Sequence, residues 1–189
     1  LNTHWHPDHT QGNARLKAGT GCEIVGPEEV RKAVPIDRIV VGGDTVMLGG
    51  TSLEVTEAPG HTLGHIVYRS VGDAQAFVGD VLFTLGCGRL FEGTPLQMWN
   101  SLQTLAGWPD ETVIWCAHEY TAANARFALS VDGRPEMAAR AAEIFAMRER
   151  GEATVPTTIG AEKAFNPFLR AGDAAAFAAV RAAKDVFAG

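Results

Sequence analysis

The first residues of the chain contain a dense group of side chains that bind metals. Three of the six histidines, His4, His6 and His9, lie close together here with Asp8 among them. Nitrogen and carboxylate ligands without a thiolate suit zinc, iron or manganese, and spacing alone does not choose among these metals. The sequence therefore predicts a metal site at this point. The alternative is a histidine-rich loop that binds no metal.

The spacing of these side chains indicates two metal positions. In an extended backbone His4 and His6 point to the same side, because side chains alternate between the two faces of a strand. Both imidazoles can then reach one ion. Asp8 and His9 come just before an amphipathic stretch at about 11–17, so they leave the extended segment at a different angle. They suit a second, neighbouring ion.

The H-x-H-x-D-H pattern from His4 to His9 resembles the signature of the metallo-β-lactamase superfamily. The resemblance implies an α/β (α+β) fold, the αββα sandwich, in which two β-sheets lie between helices and the metals sit at one sheet edge. In that superfamily several strands precede the pattern, whereas only two residues precede Thr3 in this chain. We therefore expect a sandwich without its N-terminal strands.

The superfamily completes a dinuclear site with a third histidine, a bridging acid and a last histidine, each at a strand end. His61 lies in a Pro-Gly turn after a predicted strand and is the candidate third ligand of the first metal. His65 follows four residues later. We interpret it as a packed, hydrogen-bonded residue behind the ligands rather than as a ligand.

Asp80 and His118 are the candidates for the two remaining positions. Asp80 directly follows the apolar segment 76–79, and its two carboxylate oxygens could bridge two cations. Without the histidines it would be interpreted as a turn-forming residue. His118 follows the predicted strand 112–116 and is the remaining candidate ligand of the second metal.

Four motifs make the resemblance more specific. The chain resembles the hydroxyacylglutathione hydrolase (glyoxalase II) family in T-H-x-H-x-D-H at 3–9, G-C-G-R-x-F-E-G at 86–93, C-x-H-E-Y at 116–120, and a tail with N-P-F and a later R-x-x-K. The resemblance implies His4, His6 and His61 as ligands of the first metal, Asp8, His9 and His118 as ligands of the second, and Asp80 as a ligand between them. It also implies that Asp8 and Asp80 are the catalytic residues.

The same resemblance implies the residues that bind glutathione: Arg89, Phe91, Tyr120, Arg181 and Lys184. The family often has tyrosine at the position of Phe91. Glutathione carries two carboxylates, for which a guanidinium and an ammonium are suitable partners. Arg181 and Lys184 are three residues apart on a predicted helix and should lie close together. The alternative for this pair is an ordinary solvated helix face.

The predicted chemistry is hydrolysis. Two adjacent cations lower the pKa of a shared water, and one can polarise a carbonyl. A thioester fits this site because a thiol with a pKa of about 8.5 leaves readily without a separate general acid. The expected reaction converts S-D-lactoylglutathione, or a related 2-hydroxyacyl thioester, to the hydroxy acid and glutathione. The expected cofactors are two divalent metal ions, zinc in preference to iron or manganese.

Three alternatives remain open at this point. One is a glutathione persulfide dioxygenase with a single iron, which would not need a complete second metal site. Another is a lactone hydrolase, which would leave the glycine-rich loop and the basic tail without a purpose. The third is an inactive metal-binding fragment, with an open sheet edge that invites pairing with another chain.

The composition is that of a soluble globular protein, and the resemblance implies a small-molecule partner, a glutathione thioester. The 189 residues can bury a substantial core, and the net charge of -6 argues against a nucleic-acid partner. No apolar run is long enough to span a bilayer, so no membrane partner is expected. Cys22, Cys87 and Cys116 form no C-x-x-C pair, so we expect buried thiols in a reducing, cytoplasmic setting. The expected oligomeric state is a monomer or weak dimer.

Several elements that must position the ligands follow from local patterns. Gly49-Gly50 lies between two alternating segments and predicts a β-hairpin. Thr94-Pro95-Leu96-Gln97 predicts a helix that begins with a capping box and ends at Gly107. A short helix is predicted to end at Gly19, and a strand is predicted at 22–26.

The chain after Tyr120 is rich in alanine. Helices are predicted at about 121–129, 135–149 and 173–187, and the segment 154–168 between the last two is predicted to be non-helical. We therefore expect a metal-binding domain at 1–120 and a helical substrate-binding domain at 121–189, which covers the mouth of the metal site.

Overall fold

The computed structural model describes residues 1–189, the whole chain. The strands are β1 (Val25–Gly26), β2 (Arg38–Ile39), β3 (Thr45–Leu48), β4 (Thr51–Glu57), β5 (Ile66–Ser70), β6 (Gln75–Gly79), β7 (Leu82–Phe83), β8 (Gly86–Cys87), β9 (Val113–Cys116) and β10 (Thr157–Thr158). The α-helices are α1 (Pro7–Thr10), α2 (Asn13–Thr20), α3 (Pro95–Ala106), α4 (Thr121–Val131), α5 (Pro135–Glu149), α6 (Ile159–Phe165) and α7 (Ala174–Asp185), and a 3-10 helix covers Glu28–Lys32.

A six-stranded sheet with the order β10-β9-β6-β5-β4-β3 organises these elements. Neighbouring strands are antiparallel except β6 and β9, which are parallel. A parallel pair needs a long crossover, and α3 lies in the connection from β6 to β9. The crossover brings the ends of β6 and β9 to the same edge of the sheet, where Asp80 and His118 follow them.

Helices cover one face of this sheet. Side chains that alternate along β5 place Val67 on this face, where it joins Val78 of β6 and Ile114 of β9. Met98 and Leu102 of α3 pack against them with no exposed surface. This apolar layer anchors the crossover helix against the two directly paired strands that precede Asp80 and His118.

The second sheet of the sandwich consists of only β1 and β2. Val25 and Val40 pack against Leu53, Val55 and other residues of β3–β5 on the face opposite the helices. Further across the same face, Phe77 and Trp115 are directly paired on β6 and β9 and are about 40% exposed. The fold is thus the expected metallo-β-lactamase architecture, with a two-stranded second sheet that packs on β3–β5.

Helix α3 begins as predicted. The Thr94 hydroxyl accepts a hydrogen bond from the Gln97 backbone N–H, and the Gln97 side chain accepts one from the Thr94 N–H. Pro95 occupies the first helical turn, where its missing N–H costs nothing. The predicted hairpin is also present, with Leu48 paired to Thr51 around Gly49.

Two predictions near the start of the chain were wrong in their bounds. Asp8 and His9 lie inside α1, which begins at Pro7, and do not precede the first helix. Helix α2 continues past Gly19 to Thr20, because Gly21, with φ of 70°, adopts the left-handed conformation that ends it. Residues 22–24 have no regular structure, and only the last two residues of the predicted strand 22–26 pair, as Val25–Gly26.

Two further predictions need correction. The segment 154–168 was expected to be non-helical but contains α6, whose N-cap Thr158 accepts a hydrogen bond from the Ala161 N–H. Cys22 was expected to be buried and is exposed, because it follows the end of α2. Cys87 is buried as predicted, and burial raises its pKa to about 11.

The helices after residue 120 share the core of the sheet. Ile159, Phe168 and Phe177 lie in the same apolar cluster as Val78 and Ile114. Helices α4 and α5 form a smaller cluster with Leu85 of the β7–β8 turn. The two parts of the chain on either side of the predicted boundary near Tyr120 therefore share one apolar core. None of the helices combines the length and apolarity that a membrane crossing requires.

Candidate metal centre

The seven candidate ligands come from four separate parts of the chain and meet at one edge of the sheet. His4, His6, Asp8 and His9 lie before and within α1, and His61 lies in the turn after β4. Asp80 and His118 follow β6 and β9. Their donor atoms form three overlapping groups with every separation within 4.8 Å: His4, His6 and His61; His4, His9 and Asp80; Asp8, His9 and His118.

The first group is His4, His6 and His61. His61 Nδ1 donates to the carbonyl oxygen of Arg89 at 2.9 Å, which leaves the lone pair of Nε2 free. That Nε2 atom faces His6 Nδ1 at 3.0 Å. Two nitrogens bound to one tetrahedral zinc would be about 3.3 Å apart, from bond lengths of about 2.0–2.1 Å. The observed separation is close to this value.

Asp8, His9 and His118 form the group at the second candidate metal position, which is called the second group from here on. His118 Nε2 lies 3.2 Å from His9 Nε2 and 3.4 Å from Asp8 Oδ2. Asp8 Oδ2 is 3.3 Å from His9 Nε2. Asp8 and His9 lie within the one-turn helix α1, which follows the residues that carry His4 and His6. The structure thus has a complete second set of ligand atoms.

Asp80 lies between the two groups. Its Oδ2 atom is 3.4 Å from His61 Nε2 in the first group and 3.5 Å from His118 Nε2 in the second. Its Oδ1 atom is 3.4 Å from His9 Nε2. One carboxylate therefore contacts both groups, which is the arrangement that a bridging ligand requires.

Buried atoms without partners test whether a cation fits here. His4 Nε2 and Asp80 Oδ1 are fully buried and have no hydrogen-bond partner. Buried polar atoms are rarely left in this state unless an ion or water satisfies them. Both belong to the groups of converging donor atoms, so the residues present fit a pair of divalent cations.

The pKa shifts agree with this fit. Burial lowers the pKa of His61 to about 4, and it also lowers the pKa of His4 and His9, so these imidazoles are neutral and offer lone pairs. Burial, together with the negative charge of Asp8, raises the pKa of Asp80 to about 7. Such a carboxylate needs a nearby positive charge to ionise fully, and a divalent cation supplies one.

His65 lies behind the ligands. It is buried and stacks on His4 with ring centroids 4.7 Å apart, and its Nε2 accepts a hydrogen bond from the Asp80 backbone N–H at 3.2 Å. Thr3 Oγ1 lies 3.1 Å from His4 Nδ1. Gly79, with φ of 51°, leaves no room for a side chain beside Thr3 and His65. His65 thus holds the backbone of Asp80 and the ring of His4.

A cleft opens directly above the candidate ligands. Its volume is about 390 Å³ and its floor includes His61 and Asp80. Tyr120 stacks on His118 at 4.8 Å, and Phe91 meets His6 and His61 edge to face at 5.5 and 5.3 Å. All five residues that the glutathione resemblance implied line this cleft: Arg89, Phe91, Tyr120, Arg181 and Lys184.

The two positively charged side chains of α7 have different surroundings. Arg181 is 5% exposed, and its guanidinium donates to Cys87 O and to Asp185 Oδ1. Lys184 donates to Ala123 O and is partly exposed, and partial burial lowers its pKa. An ordinary solvated helix face, the alternative for this pair, is therefore excluded.

Sequence reasoning missed the acids that hold the ligand loops. Glu92 accepts hydrogen bonds from Trp5 Nε1, between His4 and His6, and from the Leu63 N–H, just after His61. Glu29 accepts from Thr62 Oγ1 and the Gly64 N–H. Glu92 belongs to the G-C-G-R-x-F-E-G motif, so the sequence marked it as part of a functional loop. Its two hydrogen-bond partners could not be predicted, because they depend on tertiary structure.

Two family models match consecutive parts of the chain. Residues 1–118 match the metallo-beta-lactamase superfamily, and residues 119–187 match the hydroxyacylglutathione hydrolase C-terminus. Among solved structures, the crystal structure of ETHE1 from Myxococcus xanthus superposes with a TM-score of 0.71 at 26% identity, over 98% of this chain and 68% of that one. The BLEG-1 B3 metallo-beta-lactamase superposes with a TM-score of 0.65 at 22% identity, over 88% of this chain and 74% of that one. At this identity the likeness shows the fold alone.

Curated relatives are more similar. The hydroxyacylglutathione hydrolase of Erythrobacter litoralis is 50% identical over 98% of this chain and 79% of its own length. That of Maricaulis maris is 55% identical over 92% of this chain and 69% of its own. This similarity covers both the metal-binding part and the C-terminal helices, and the chain therefore belongs to the hydroxyacylglutathione hydrolase family of the metallo-β-lactamase superfamily.

Proposed function

We propose that the protein hydrolyses S-D-lactoylglutathione, or a related 2-hydroxyacylglutathione, to the 2-hydroxy acid and glutathione. The observation that carries this proposal is the convergence of seven donor side chains beside a cleft with cationic walls: His4, His6, His61, Asp8, His9, His118 and Asp80. Of these, His61 and Asp80 line the cleft. The relatives at 50% and 55% identity are named as hydrolases of this class.

We propose that these seven side chains hold two divalent cations, preferably zinc. His4, His6 and His61 would hold the first, Asp8, His9 and His118 the second, and Asp80 would contact both. Two such cations, when bound, supply Lewis acidity for the thioester carbonyl and lower the pKa of water. A single-iron dioxygenase would not need the second group, so the complete set of Asp8, His9 and His118 favours the hydrolase.

The protein's own groups would bind and orient the substrate above these ligands. Arg89 and Lys184 both line the cleft and can pair with the carboxylates of the glutathione moiety. Phe91 and Tyr120 pack against metal-ligand histidines, so they can shield the thioester from bulk water. The leaving thiol has a pKa of about 8.5 and departs as thiolate without a general acid.

The two catalytic carboxylates have different surroundings. Asp80 is buried, and we assign it to hold the cations. The Asp8 side chain is 57% exposed, so water can reach it. We propose that Asp8 is the carboxylate that accepts a proton from the attacking water.

The test is release of free thiol from S-D-lactoylglutathione by zinc-loaded protein, with metal content measured on the same sample. Loss of a residue that hydrogen-bonds to a metal ligand lowers activity by roughly 10–100-fold. Asp80→Asn changes a candidate ligand itself, so it should lower the rate by more than this. Asp110→Asn is the matched control, because Asp110 is an exposed carboxylate paired with Lys163 away from the cleft. Equal rates for wild type and Asp80→Asn, or one metal in the wild type, would contradict the proposal.

A further inference from the structure

Glu92 joins the two segments that carry the first group of ligands. Its Oε1 atom accepts a hydrogen bond from Trp5 Nε1 at 2.8 Å, and its Oε2 atom accepts one from the Leu63 N–H at 3.0 Å. Trp5 lies between the two N-terminal histidines of this group, and Leu63 is two residues after His61. One carboxylate therefore ties together the backbone segments of all three imidazoles.

The surroundings of Glu92 strengthen these two bonds. Lys32 Nζ lies 3.5 Å from Glu92 Oε1, and it also lies over the Trp5 ring at 5.3 Å from the ring centre. Hydrogen bonds from N–H groups to a carboxylate are stronger than hydrogen bonds between neutral groups. The Glu92 side chain is only 21% exposed, so water competes weakly for its oxygens.

Glu119 has the corresponding place beside the second group. It directly follows His118, and its carboxylate accepts hydrogen bonds from the Thr154 N–H at 2.8 Å and from the Thr154 hydroxyl. Arg148 Nη1 lies 3.6 Å from Glu119 Oε2. Thr154 is buried, and three residues later the chain enters β10, which pairs with β9. Glu119 thus holds the segment of His118 against a neighbouring segment of the same sheet edge.

Both glutamates adjoin an aromatic residue of the cleft but do not line the cleft themselves. Phe91 precedes Glu92 and packs against a histidine of the first group at 5.3 Å. Tyr120 follows Glu119 and stacks on His118 at 4.8 Å. The glutamates can therefore act on the candidate metal centre only through the segments that they hold.

We propose that Glu92 and Glu119 are positioning residues, each for one of the two metal positions. Glu92 holds the segments of the first group, and Glu119 holds the segment of His118 in the second. Asp80 contacts both groups and does not depend on either glutamate for its own hydrogen bonds. Loss of one glutamate should therefore weaken one position and spare the other. This inference rests on the two metal positions of the proposed function and adds which residue controls each.

Methionine variants test this assignment, because methionine is similar in length to glutamate and its thioether is only a weak acceptor. The proteins are loaded with two equivalents of cobalt(II), and proton NMR detects the strongly shifted imidazole N–H signals. The first group contains three imidazoles and the second contains two. A titration with a chelator then follows the loss of each set of signals separately.

Each methionine variant should lose one set of signals early. Glu92→Met should lose the three signals of the first group at a roughly tenfold lower chelator concentration than wild type, the lower end of the cost of losing a group that orients a ligand. Its other two signals should disappear at the wild-type concentration. Glu119→Met should show the reverse pattern. Glu54→Met is the matched control, because Glu54 accepts a hydrogen bond from Arg69 away from the cleft, and it should match wild type for both sets.

Glutamine variants should differ between the two positions, because an amide has one acceptor group and one donor group. The partners of Glu92 are the Trp5 indole N–H and the Leu63 N–H, which only donate. Glu92→Gln therefore loses one bond and should resemble Glu92→Met. The Thr154 hydroxyl can accept as well as donate, so the amide in Glu119→Gln can pair with both Thr154 groups and should restore the second position. A role in overall stability alone would not produce this difference.

The same hydrogen bonds can be removed from their other ends if a methionine variant does not fold. Trp5→Phe removes the indole N–H and should weaken the first position alone. Thr154→Val keeps the shape of the side chain without its hydroxyl and should weaken the second position alone.

The proposal is overturned if a folded methionine variant weakens both positions equally or neither of them, or if the two glutamine variants do not differ. If wild type binds two cobalt ions but its zinc form releases no thiol from lactoylglutathione, the proposed function fails, while the chelator titration still decides the roles of the two glutamates. If wild type binds a single cobalt ion, both proposals fail.

Discussion

Gly88 offers a severe test of the metal centre, because its backbone lies against two candidate ligands. A Cβ atom at this position would overlap the Asp80 carbonyl oxygen and approach His61 Nδ1 at 3.0 Å. The obstructing oxygen is backbone and cannot rotate away as a flexible side chain could. Gly88→Ala must therefore displace Asp80, the glycine-rich loop or both by roughly 1 Å in a close-packed interior.

The expected loss of activity follows from this displacement. A misplacement of about 1 Å can cost on the order of 10²-fold in rate, which corresponds to about 2.7 kcal/mol of transition-state stabilisation. We expect kcat/KM for lactoylglutathione to fall by this factor, mainly through kcat. Zinc retention should fall in parallel, since Asp80 contacts both candidate metal positions.

The assay compares Gly88→Ala with Gly133→Ala. A Cβ atom at Gly133 meets nothing within 4 Å, so this control should keep wild-type activity and metal content. Circular dichroism and thermal melting establish that both variants are folded. If folded Gly88→Ala keeps two zinc ions and more than half of the wild-type kcat/KM, the loop does not constrain the ligands and the reasoning is wrong.

Two predictions concern stability. Thr94→Ala removes the reciprocal hydrogen bonds at the start of α3 and should lower the free energy of unfolding by about 1 kcal/mol; urea denaturation at neutral pH measures it, and an unchanged midpoint would contradict the role of the capping box. Asp132 accepts hydrogen bonds from Arg134, which lower its pKa to about 2 from 3.8. A lowered pKa stabilises the fold above pH 4 and loses that contribution as pH falls toward 2. Asp132→Asn should therefore melt below wild type at pH 7, with a difference that shrinks between pH 4 and 2, and a constant difference would contradict the assignment.

The sequence allowed the ligand set to be predicted because those residues have rare types and lie at recognisable places. Asp80 and His118 each follow a short apolar strand, and His61 follows a Pro-Gly turn. The parallel pairing of β6 and β9 then brings two of these places to one edge. Whether the side chains hold metal remains a prediction, but their convergence is present in the structure.

Other features depended on packing between distant segments and could not be predicted locally. Helix α6 was missed because its sequence is short and flanked by prolines, and its stability comes from burial of Ile159 against the sheet. The burial of Arg181 was missed because spacing on a helix does not show which face packs inward. The contacts of Glu92 with Trp5 and Leu63 join residues far apart in the chain.

The apolar cluster that joins Val78 and Ile114 to Phe168 and Phe177 has a consequence for how the chain can be handled. Proteolytic cleavage near Tyr120 would yield two polypeptides with a large complementary hydrophobic surface on each. Expressed separately, each would tend to aggregate, whereas co-expression should allow them to reassemble by fragment complementation.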